Sequence, residues 1–122
     1  MSVGAGAQLA TLKRVYKSLL QLPMESLTID RQNDGARGAY VATITGIEGD
    51  ARLAYRDEGS GVIAAVHTET SDGLRGKGVA LKLVERMVED ARTEGIRILA
   101  LCSYVDHERQ KHPEWADVFV TR

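Results

Sequence analysis

Arg75, Gly76, Lys77 and Gly78 stand where a strongly amphipathic segment begins, in "TSDGLRGKGVALKLVERMVEDA" from Thr70 to Ala91. Helix entry needs only a capping side chain, which Ser71 or Asp72 could supply; two glycines and two cations exceed that need. The unpaired N–H groups of a helix's first turn, with its dipole, attract an anion. Glycines let a phosphate approach the backbone, and Arg75 and Lys77 add charge. The stretch reads either as a diphosphate cradle or as a plain glycine-shaped turn with solvated cations. It matches neither G-x-x-x-x-G-K-[ST] nor G-x-G-x-x-G, which disfavours a P-loop nucleotidase and a dinucleotide enzyme.

Reactive side chains flank this stretch. His67 and Glu69 precede it, and either could take a proton from an amine, directly or through water. Cys102 follows it and could attack an activated carbonyl, with His67 as helper. The plainer alternatives are a solvated, paired strand end for His67 and Glu69 and an inert core thiol for Cys102. The three histidines lack metal-ligand spacing, so no metal is expected.

The elements that must position these residues follow from periodicity. "SLTIDRQ" alternates weakly as a first strand, and "GAYVATITG" alternates better, with Tyr40, Ala42 and Ile44 on one face. After the "GIEGD" turn, "ARLAYR" is its hairpin partner. "VIAAVHTET" opens uniformly apolar, as a strand buried on both faces does. It then turns polar, with His67 and Glu69 on one face and Thr68 and Thr70 on the other. In the next helix Ala80, Leu83, Val84, Met87, Val88 and Ala91 mark the buried stripe, and Gly95 sits where a C-terminal cap belongs. "IRILALC" is the following strand, ending at Cys102, so strand, helix and strand form a βαβ unit with a parallel pair. A short helix should stop before Pro113, and "ADVFV" is a last strand or an apolar tail.

Composition bounds the function. The 122 residues suffice for one core, and 16 basic against 17 acidic side chains give a net charge of −1. That balance, with few aromatics, argues against a nucleic-acid surface. A single cysteine excludes an internal disulfide and suits a reducing compartment, and no apolar run approaches membrane-spanning length. A cytoplasmic protein without membrane partners is expected. The segment "AQLATLKRVYKSLLQLP" has helical leucine spacing and no acid before Glu25. Organelle transit peptides share that composition; a helix packing on the domain or on a second subunit explains it as well, and so offers an oligomer interface.

"LRGKGVA" resembles the coenzyme A signature [QR]-x-x-G-x-[GA] of the GNAT N-acetyltransferase superfamily, with Arg75, Gly78 and Ala80 at the matching positions. Together with "HTE" at His67–Glu69, "LCSYV" at Leu101–Val105 and "HPEW" at His112–Trp115, it resembles more narrowly the small single-domain GNAT-type proteins, over Leu27–Val118. "TSDG" departs from the proline-containing turn usual there, and the N-terminal helix is not part of the family core.

The resemblance implies an α/β (α+β) fold: a GNAT-like mixed sheet of antiparallel strands leading into the βαβ unit, with residues 25–122 as the domain and 1–24 as a helical extension. It implies acetyl-CoA or coenzyme A as acyl-donor substrate. The diphosphate would rest on Arg75, Gly76, Lys77, Gly78, Val79 and Ala80, and the pantetheine arm would run along Thr68, Glu69 and Thr70. The acceptor would be a primary amine of a small molecule or peptide. Cys102, in a position proposed as acyl acceptor in the small family, Glu69 and His67 are the catalytic candidates. Tyr104 could protonate the departing thiolate, as a tyrosine does in many GNAT enzymes, but its position is offset from the usual helix and it is read here as packing. The competing readings are a CoA-binding module without efficient transfer and a protein-interaction domain.

Overall fold

In the computed structural model, which describes residues 26–120, strand alternation sorts the side chains onto two faces of one sheet. Strands β1 (Leu27–Asp34), β2 (Arg37–Ile44), β3 (Ala51–Gly59) and β4 (Val62–Thr70) form an antiparallel meander. Strand β5 (Arg97–Ala100) pairs in parallel with β4, giving the order β1-β2-β3-β4-β5. Tyr40, Ala42 and Ile44 of β2 and Ala51, Leu53 and Tyr55 of β3 are buried in one core. Arg37, Arg52 and Arg56, at the intervening positions, are exposed on the outer face. The mixed α/β fold is the one expected.

Helix α1 (Val79–Glu94) covers the inner face with Val79, Leu83, Val84, Met87, Val88 and Ala91. The expected stripe holds with one shift: Val79 is buried and Ala80 only partly so. Each large apolar side chain contributes roughly 1.5–3 kcal/mol on burial. An exposed pair such as Lys82–Glu85, 3.3 Å apart, adds only about 0.3–0.5 kcal/mol. The stripe therefore docks the helix. Gly95 ends it at φ 69°, donating its N–H to Ala91 O.

The entry differs from expectation. Gly78, at φ 73°, occupies the cap position of α1, not Ser71 or Asp72. A 3₁₀ turn at Asp72–Leu74, anchored by buried Leu74, intervenes. Ser71 Oγ instead accepts the N–H of Asp50 at 2.9 Å, and Asp72 pairs with Arg75 at 3.2 Å.

Past α1, the βαβ unit closes as expected, but β5 ends at Ala100. Cys102 does not close the strand; it is the cap residue of helix α2 (Ser103–Lys111), which stops at His112, just before Pro113. "ADVFV" adds no strand. Pro113–Val118 is a 3₁₀ segment and Phe119 makes one parallel bridge to Ile98, so the tail closes the core with buried Trp115, Val118 and Phe119. The helix expected over residues 1–24 lies outside the described residues. Among the described residues no helix is long and apolar enough to cross a membrane.

A polar network ties the far end of α1 to the meander. Tyr40 Oη donates to Asp90 Oδ2 at 2.8 Å. Arg31 binds Asp90 at 3.3 Å, Glu94, and Tyr55 Oη at 3.0 Å. Burial, then the bond to Asp90, push the Tyr40 phenol far above its ordinary pKa, so it stays a neutral donor. Burial opposes the charge of Arg31, but its bonds to Glu94 and Tyr55 prevail and its pKa is raised.

Tyr55 fills the space over Gly38, where a Cβ would overlap its ring. Gly38→Ala is therefore expected to destabilise the fold by about 1–3 kcal/mol in urea unfolding. An unchanged midpoint would contradict this packing.

Candidate active site

The site begins at an extra residue in β4. Tyr55 faces Ala65 and Ala54 faces His67 across the β3–β4 ladder, so Val66 is inserted without a partner. Strict alternation would have put His67 and Glu69 on the same face as Ile63 and Ala65, which is the core. The bulge reverses this. Thr68, opposite buried Leu53, turns to the helix side with Thr70, while His67 and Glu69 emerge on the outer face.

The parallel ladder stops at the same place. Its last pair is Ala65–Ala100, and Ala65 O accepts two N–H groups, Leu101 at 3.0 Å and Cys102 at 2.8 Å. Beyond Ala65 the two strands part, and that side of β4 has no strand partner among the described residues. Ser71 N–H donates to Asp50 O at 2.8 Å. By the alternation of an antiparallel ladder, the N–H and C=O groups of Thr68 and Thr70 therefore point to the open side.

The open edge leads into the glycine turn. Gly76 and Gly78 have φ of 77° and 73°, conformations that L side chains rarely adopt. A Cβ built at either meets nothing within 4 Å, so space stands in front of the backbone. Val79 is buried and can offer only its backbone N–H outward. Lys77 has no ion-pair partner among the described residues. Arg75 lies across the edge, its Nε donating to Thr70 O at 3.2 Å; mostly exposed, it is free to swing toward an anion.

Thr68, Glu69, Thr70, Arg75, Ala80 and Tyr104 wall a groove of about 600 Å³, and a smaller hollow continues it past Gly76 and Gly78. The structure thus gathers the expected donor-binding residues along these two hollows except Lys77, which lines neither. It divides the expected catalytic ones. Cys102 is 9% exposed and sits behind Thr68, whose Oγ1 is 3.2 Å from its Sγ; it does not line the groove. His67 lies across the sheet from it, with Nε2 3.2 Å from Glu69 Oε1, both side chains well exposed. Among the described residues no group of three His, Cys, Asp or Glu could hold a metal ion.

Tyr104, read from the sequence as packing, does both jobs: it packs on the core and forms part of the groove wall. Burial, then the charges of Glu108 and Cys102, raise its phenol above the ordinary value, so it is protonated near neutrality. The bulge at Val66 was also missed, although a signal existed. Polar residues two and four positions beyond Ala65 would share its buried face under strict alternation, and only an inserted residue turns them outward.

A sheet that splits beside a glycine-turned helix entry defines an acyltransferase-like class of fold. The model of the GCN5-related N-acetyl-transferase family matches residues 39–118, and this chain belongs to that family. It is similar to Protein NATD1 of Bos taurus, 25% identical over 75% of this chain and 80% of that protein. It is also similar to Protein NATD1 of Gallus gallus, 24% identical over 80% of this chain and 89% of that one. Among solved structures, it resembles the NMR structure of a GCN5-like candidate N-acetyltransferase from Staphylococcus aureus. The TM-score is 0.56 and the identity 29%, covering 76% of this chain and 89% of that one. Family and fold support acyl transfer in general.

With its sulfur sheltered behind Thr68, Cys102 should react with an aromatic disulfide reagent about tenfold or more slowly in the folded protein than in urea. Equal rates would place the sulfur at the surface.

Proposed function

We propose that this chain is an acetyl-CoA-dependent N-acetyltransferase acting on a primary amine. The observation that carries the reading is the unpaired edge of β4 running into the glycine turn at the start of α1. The residues present suit the donor. Backbone N–H groups at Gly76–Ala80, with the charges of Arg75 and Lys77, match a diphosphate. The edge-facing backbone groups of Thr68 and Thr70, with Arg75 leaving Thr70 O, match the amides of a pantetheine arm laid alongside as an extra strand. Acetyl-CoA supplies an acetyl group activated as a thioester.

Transfer to an amine forms an N–C bond, breaks a C–S bond and carries one proton from nitrogen to sulfur. Glu69, exposed and at the groove wall, is the candidate base, with His67 beside it to share the proton. Tyr104, kept protonated by burial, is the candidate donor to sulfur. Direct attack by the amine is favoured over a route through Cys102, because that sulfur sits outside the groove.

Calorimetric titration with CoA and acetyl-CoA tests donor binding. The parent should bind both, and Ala80→Trp, which fills the groove from a helical position without a left-handed backbone, should bind about tenfold or more weakly. No binding by the parent would sink the proposal. Intact mass measured after incubation with acetyl-CoA, for the parent and Cys102→Ala, tests the route. Amine acetylation should persist in Cys102→Ala; its loss together with an acetylated parent thiol would establish the covalent route instead.

A further inference from the structure

The outer face of the sheet carries a second groove, of about 630 Å³, that the donor does not use. Its floor is Ala39 and Ala54, whose small side chains leave the hollow open, and one wall is Val66, the bulge residue at which β4 and β5 part. Three guanidiniums line it: Arg37, Arg52 and Arg56. The one carboxylate side chain among the lining residues is Asp34.

The arrangement of these cations is costly for folding alone. Arg37 and Arg56 are direct cross-strand partners in the β2–β3 register, and like charges directly opposite destabilise a ladder. Arg56 is held by Glu58 at 3.0 Å, and Arg52 by Gln32 at 3.4 Å and Asp50 at 3.7 Å. Arg37 has no ion-pair or hydrogen-bond partner from its side chain among the described residues. An anion placed between Arg37 and Arg56 would relieve the repulsion. Residues 1–24 carry no carboxylate side chain, their charged side chains being Lys13, Arg14 and Lys17.

Position ties this groove to the reaction. Donor and groove approach the parting strands from opposite faces, and His67 and Glu69 emerge on the groove's side. Strand spacing and rise put the Arg37–Arg56 pair roughly 8–12 Å from the His67 backbone. That span is about three residues of extended chain, longer than the separation of the α-amine and α-carboxylate of one amino acid.

We infer that this groove seats the acceptor, and that the acceptor is a peptide amine with a carboxylate or phosphate two or three residues away, bound by Arg37 and Arg56. The inference rests on the acetyltransferase reading for the reaction but not for the binding. Fluorescence anisotropy of labelled peptides to the full chain tests it. Three peptides, each with a free lysine amine, carry aspartate, asparagine or phosphoserine three residues from that lysine. The aspartate or phosphoserine peptide should bind the parent about tenfold more tightly than the asparagine peptide. Whichever binds better identifies the anion, and either preference supports the inference. The preference should vanish in Arg37→Ser and return in Arg37→Lys, with thermal melting as the folding control. In turnover, Arg37→Ser should raise KM for the acidic peptide far more than it lowers kcat. Equal binding of all three peptides, no binding of any, or an unchanged preference in Arg37→Ser would overturn the inference. Failure of the parent to bind CoA would sink the acetyltransferase reading and leave these anisotropy outcomes to decide the groove.

Discussion

The structure turns on the carbonyl of Ala65. It receives the N–H groups of both Leu101 and Cys102, and a ladder cannot continue where two successive donors converge on one acceptor. Helix α2 begins at once, with Cys102 as its cap, so β5 has no residue left to follow β4. The other neighbour does not let go. Val66 bulges out, the β3–β4 register resumes at His67, and pairing runs on to Thr70. From Val66 onward, among the described residues, β4 has a strand partner on one side only.

An exposed strand edge is a liability unless something blunts it. Here the blunting is partial and reversible. Arg75 covers Thr70 O through an exposed side chain, and the Thr68 hydroxyl faces a sulfur, a weak partner. The neighbouring turn, by contrast, is fixed. Buried Leu74 and Val79 bracket Gly76 and Gly78, so the glycine backbone is held between two core anchors. At the other end of α1, Asp90 and Glu94 are clamped by Arg31 and Tyr40. A helix pinned at both ends presents its first turn in one place, while the groups covering the strand edge can leave.

Much of this was legible in the residues. The α1 stripe is a period of 3.6 with polar residues between, and tertiary packing moved it by a single position, from Ala80 to Val79. The order of strands and the βαβ unit followed from alternation and turn residues. The glycine turn was legible because two glycines exceed what helix capping needs, and in the structure Gly76 and Gly78 both hold positive φ. What was not legible depends on contacts distant in sequence. The length of β5 is set by Ala65, more than thirty residues earlier. The role of Tyr104 as groove wall depends on how α2 leaves the sheet. The bulge was hidden for a different reason: Val66 is an ordinary strand residue, and only the parity of the polar residues after it betrays the insertion.

That single insertion also orders the chemistry. Without it, Thr68 and Thr70 would face outward, and His67 and Glu69 would be driven against Leu53 and Leu83, where no buried partner awaits a charge. With it, the thiol of Cys102 lies on the helix side behind a threonine, and the side chains of His67 and Glu69 lie on the solvent side. The sheet therefore separates the Cys102 sulfur from the His67 imidazole. Under the proposed reaction, an amine entering from the outer face would meet Glu69 and His67 before Cys102.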